Sequence, residues 1–122
     1  MPVNDIIILI IIGVFAGFLS GSMGIGGGII IVPALIFFFG ISQHEAQGTS
    51  LGILVFPVAI AGAYNYYKEG YINTKFVFII LFAFLVGGYF GSLLSVNLPD
   101  KVLKKVFGIL ILLIGIKMVF SK

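Results

Sequence analysis

Cysteine and arginine are absent from this chain, and histidine occurs once, at position 44. Without cysteine there can be no disulfide, no thiol chemistry and no thiolate metal site. A lone His44 cannot hold a metal by itself, so neither metal nor cofactor is expected. Charge of either sign is scarce: seven lysines and four acidic residues make up 9% of 122 residues, with a net charge of +3. The lysines are scattered through short intervals and never cluster as a nucleic-acid face would, so no nucleic-acid partner is expected. The phosphate-binding patterns G-x-x-x-x-G-K-[ST] and G-x-G-x-x-G are also missing, which argues against a nucleotide-dependent enzyme.

What remains is apolar. Hydrophobic residues are 61% of the chain and the mean hydropathy is +1.28. No soluble packing hides that much apolar surface in so short a chain. The expected fold class is an all-α integral membrane protein, a single domain over residues 1–122 that leaves no room for a soluble catalytic module. The first apolar run carries Asp5 where a secretory leader would be basic, and it continues into a glycine-rich motif, so a cleaved signal peptide is not expected.

Five apolar blocks fall at about 5–22, 29–39, 43–67, 75–96 and 102–120, four to five of them helical segments in a membrane. The first would span about 25 Å as a helix and the second about 16 Å, too short to cross alone. Between them lies GFLSGSMGIGGGIIIVPAL, from Gly17 to Leu35. Glycines inside lipid expose backbone groups that must line a cavity or bind something. The two blocks form either a helical hairpin with one re-entrant arm or one broken, tilted segment, and their combined length favours the hairpin.

Ser42 with Glu45 fits a capping box and marks the start of the third block. Pro57 inside that block removes a backbone donor and predicts a mid-membrane kink that frees the Ile53 carbonyl. Tyr64, Tyr66 and Tyr67 before Lys68 and Glu69 have the pattern of an interfacial aromatic belt. The fourth and fifth blocks are each long enough to cross. Gly13 with Gly17, Gly17 with Gly21, Gly48 with Gly52 and Gly87 with Gly91 are G-x-x-x-G pairs, whose plainest use is close helix packing. The lysines divide almost evenly between the two sides, which leaves orientation open and permits insertion both ways.

GFLSGSMGIGGGIIIVPAL, then HEAQGTSLGIL from His44 to Leu54, then LPDKVLKKVFGILILLIGIKM near the C-terminus resemble, in order, the sulfite exporter TauE/SafE family of membrane transporters. Members are usually about twice this long and carry the glycine–proline and Gly-Thr-Ser elements once in each half. The resemblance therefore implies one repeat of a two-repeat transporter, with a second copy or a paralogous half-length chain as partner. It also implies transport of small anionic sulfur compounds such as sulfite or organosulfonates. Inverted repeats are a frequent transporter plan.

An anion suits the residues. Backbone amides of Gly26, Gly27 and Gly28 would face it from the N-terminus of a helix starting near Ile29, where the dipole is positive. Thr49 and Ser50 would add hydroxyl donors. The expected substrate-binding set is Gly24, Gly26, Gly27, Gly28, Pro33, Gly48, Thr49 and Ser50, with His44 and Pro57 as candidates for gating or proton linkage. The plainer alternatives are a surface turn at residues 24–28, hydroxyls bonded to their own helix, a helix-start Pro33, a capping His44 and a snorkelling Lys117. No ionisable residue lies mid-segment in the first four blocks, so the expected driving force is the anion gradient and membrane potential, without an internal proton relay. The rival function is a non-transporting membrane subunit that scaffolds another complex through its glycine faces.

Overall fold

A computed structural model describes residues 2–24 and 28–121. Six helices follow in order: α1 (Val3–Met23), α2 (Gly28–Phe39), α3 (Gln43–Leu54), α4 (Ile60–Lys68), α5 (Thr74–Val96) and α6 (Asp100–Phe120). The architecture is all-α. Two helices, α1 and α5, are long and apolar enough to cross a bilayer. α6 matches α1 at 21 residues, but Lys101, Lys104, Lys105 and Lys117 interrupt its apolar character, so it is less suited to lipid than its length suggests.

α1 and α2 pack against each other, as a hairpin requires and a single broken helix would not. The inner face of α1 repeats at helical spacing through Ile8, Ile12 and Ala16; α2 answers with Ile31, Val32 and Leu35, and Ala46 of α3 completes the cluster. Phe107 of α6 closes one side of it. In lipid this packing stabilises through close contact and dispersion, because lipid tails are as apolar as the side chains they replace. The hairpin arms end differently. Gly24, at φ 70, is the left-handed cap of α1 and donates its N–H to Ser20 O at 2.6 Å, a conformation that favours glycine.

Six helices replace the four to five expected segments because the third block is two helices. Pro57 breaks it outright where a kink was expected: α3 stops at Leu54 and α4 begins at Ile60. The Ile53 carbonyl is taken by the Phe56 N–H at 3.2 Å. Val58 N–H then bonds Phe56 O across the proline at 2.7 Å, and Ile60 N–H bonds Pro57 O at 3.3 Å. Local turns thus satisfy the carbonyls that the missing donor leaves free, and the chain has no need to resume the same helix axis.

Pro33 is also placed differently. It is the sixth residue of α2, inside the helix and on its exposed side, not at the helix start. The expected glycine packing faces are open as well. A Cβ built on Gly13, Gly17, Gly48, Gly52, Gly87 or Gly91 meets nothing within 4 Å among the described residues. A Cβ on Gly62 of α4 would lie 3.7 Å from Gly21 Cα of α1, an ordinary contact distance.

Candidate functional site

The N-terminus of α2 and the face of α3 meet at two of the expected positions. Gly28 opens α2, and a Cβ there would lie 3.5 Å from Ser50 Oγ. Ser50 is 4% exposed, so its hydroxyl sits inside the bundle beside the end of α2 where helix dipoles concentrate positive potential. Thr49 and Gly48, on the same helix, are exposed and turn away. Helical geometry allows only one of adjacent residues 49 and 50 to face α2. Gly24 terminates α1, while Gly26 and Gly27 lie outside the described residues.

Two buried or half-buried amides join Ser50. Gln43 is 2% exposed, and its Nε2 donates to Gln47 Oε1 at 2.8 Å. Residues 43, 47 and 50 follow i, i+4, i+7 spacing, the inner face of one helix, and that spacing was readable from the sequence. Polar side chains that face the bundle interior need partners, and Gln43 and Gln47 partner each other. Sequence reasoning missed Gln43 and Gln47 because it followed the Gly-Thr-Ser triplet and not the helix face.

His44 and Asp100 form a clamp at the end of α3. Ser42 Oγ accepts the Glu45 N–H at 3.0 Å, which is the Ser42 half of the expected capping box. The next free amide, His44 N–H, is taken in trans by Asp100 Oδ1 at 2.9 Å. Asp100 therefore caps α3 from the first turn of α6, a negative charge against a positive helix end. The His44 ring adds two contacts, Nδ1 to Asp100 Oδ1 at 3.1 Å and Nε2 to Ser95 O at 3.0 Å. Asp100 lies outside the apolar stretch 102–120, and its carboxyl is held below the ordinary value of 3.8, first by the His44 backbone amide, then by that of Gln43, with the His44 side chain a lesser cause.

Tyr66, one of the three tyrosines of the expected aromatic belt, reaches the end of α1. Its single hydroxyl proton is shared between Gly21 O at 2.9 Å and Ser22 O at 3.2 Å, carbonyls that the end of α1 leaves free. An open groove of about 460 Å³ beside it is lined by Met23, Gly24, Ala63, Tyr66 and Tyr71 among others. A second, apolar groove of about 610 Å³ runs along α5 from Asn73 to Leu85. Neither is lined by Gly28 or Ser50. Pro57 lies in the turn between α3 and α4, with exposed neighbours.

Residues 5–122 match the family model described as Sulfite exporter TauE/SafE. A probable membrane transporter protein of Methanocaldococcus jannaschii is 39% identical over 120 residues, covering 93% of this chain and 45% of the relative. One from Haemophilus influenzae is 31% identical, covering 95% of this chain and 46% of the relative. A Bacillus subtilis protein with the same description is 28% identical, covering 91% and 45%. The chain thus spans a little under half the length of the relatives it matches. No solved structure matches it.

Proposed function

Because the chain belongs to the sulfite exporter TauE/SafE family, we propose that it is one half of a transporter for small anionic sulfur compounds such as sulfite or an organosulfonate. The second half is a second copy or a paralogous chain of similar length. The observation that carries the proposal is the buried Ser50 hydroxyl against Gly28 at the N-terminus of α2. A sulfur oxyanion needs several donors around its oxygens, and amides plus a hydroxyl supply them without the desolvation penalty of a buried lysine. The open glycine faces of α1 and α5 offer surfaces on which such a partner would pack.

In this proposal the anion meets Gly28 and Ser50, with Gly24, Gly26 and Gly27 in the adjoining glycine run, while Pro33, Gly48 and Thr49, on exposed faces, stand outside the contact. The protein is multi-pass, resides in a prokaryotic plasma membrane, and moves its anion down the combined gradient and membrane potential. Reconstitution into vesicles loaded with sulfite tests this. Efflux that follows membrane potential, is lost in Gly28→Val and falls in Ser50→Ala supports the proposal. Absence of flux, with the protein copurifying in fixed ratio with an unrelated membrane protein, would favour the scaffold, for which the same open glycine faces would serve as docking surfaces.

A further inference from the structure

The His44 clamp has chemistry that transport by gradient and potential leaves unused. Both ring nitrogens face acceptors: Asp100 Oδ1 at 3.1 Å and the Ser95 carbonyl oxygen at 3.0 Å. A carbonyl and an ionised carboxylate have no proton to give, so both bonds form only when both ring nitrogens carry hydrogen. A neutral imidazole donates once and turns a lone pair toward the other acceptor. We propose that His44, in its doubly protonated form, is a positioning residue that ties α3 to the α5–α6 turn and loosens that tie as it loses a proton.

The surroundings are compatible with this use. The His44 side chain is 35% exposed and that of Asp100 46%, so protons reach the pair from water. α2, packed against α3, contains no ionisable residue, and α5 contributes the Ser95 carbonyl, its Lys75 standing more than five turns and its Tyr89 nearly two turns before that residue. α6 contributes Asp100, followed by Lys101, Lys104 and Lys105, whose positive charges oppose the second proton and are screened by salt at the surface. Glu45 is the charged neighbour on α3 itself. Among the described residues, Asp100 is the group in ion-pair contact with His44.

Three elements meet at this one side chain. α5 otherwise stands off the bundle without a buried residue, so the His44 bond to Ser95 O is a main tether between α5 and the α1–α2–α3 core. α3 also carries Ser50 two turns further on. The inference deepens the transport proposal, since a shift of α3 would move Ser50 relative to Gly28.

The chain lacks cysteine, so spin labels on Leu51→Cys in α3 and Val86→Cys in α5 report the α3–α5 separation without background, the His44 N–H bond to Asp100 holding α3 to α6 in either state. Both positions are exposed. In lipid nanodiscs, a narrow label separation is expected at about pH 5 and a broader, longer one at about pH 8. His44→Gln should give the broad distribution at both values. His44→Arg, which stays charged, should give the narrow one at both. A distribution unchanged by pH in the otherwise native chain overturns the proposal, as does a full pH response in His44→Gln, which would assign it to another group. Sulfite efflux at one fixed pH is a separate measurement. Efflux without the pH-dependent separation removes the clamp alone, and the separation without efflux removes the transport proposal alone.

Discussion

Single atoms decide more here than the composition suggests. Ser50 and Thr49 are neighbours with hydroxyls of equal chemistry, yet Ser50 is buried against Gly28 and Thr49 is exposed. Sulfite efflux should therefore fall several-fold in Ser50→Ala and stay near the native rate in Thr49→Ala. Tyr66 gives a second test. Its hydroxyl bonds two carbonyls at the end of α1, so Tyr66→Phe should lower stability by about 1 kcal/mol, the usual net contribution of a neutral hydrogen bond. Thermal unfolding in detergent would measure it, and an unchanged midpoint would mean that water or headgroups replace the bond without loss. Asp100 gives a pH dependence of stability. Its folded value lies below 3.8, so its contribution is present above that unfolded value and is lost as pH falls through the lower folded one. Asp100→Asn should remove that acid-side slope from an unfolding titration.

Helices meet their ends for different reasons, and the sequence exposed some of those reasons better than others. Ser42 was legible as a cap because its side chain bonds the Glu45 amide three residues away, a local event. Pro57 was legible as a disruption, but its severity was not. Whether a proline kinks or breaks a helix depends on what the two halves pack against, and here α4 packs on α1 through Gly62 and Tyr66 while α3 packs on α2 and α6. Pro57→Ala restores the donor and should add about one turn of helix across residues 55–59 by circular dichroism. It should also weaken the Tyr66 contact, since a continuous axis carries α4 away from α1. A circular-dichroism spectrum identical to the native one would show that tertiary packing, not the proline, holds the break.

The molecule as a whole is unevenly packed. Residues of α1, α2 and α3 form a cluster, whereas α5 has no buried residue. Gly87 and Gly91 on α5 meet nothing within 4 Å, although the spacing suits close helix approach. Gly87→Val should therefore leave the α1–α2–α3 core intact and lower the yield of cross-linked assembly in membranes. If assembly is unaffected, the glycine face of α5 is not the contact with the proposed second half.

Composition alone determined that this chain is an all-α membrane protein, because residues so short of charge have no stable home in water. The order of the glycine–proline, Gly-Thr-Ser and C-terminal motifs carried the family, since those elements are local strings. The tertiary structure decided that Ser50 rather than Thr49 meets Gly28, that Gln43 turns inward, that Pro57 ends a helix, and that Asp100 reaches across 56 positions to cap α3 at His44. Such pairings depend on how helices rotate about their axes and which ends come together. Two adjacent residues look alike in a string, and only packing sends one inward and the other out.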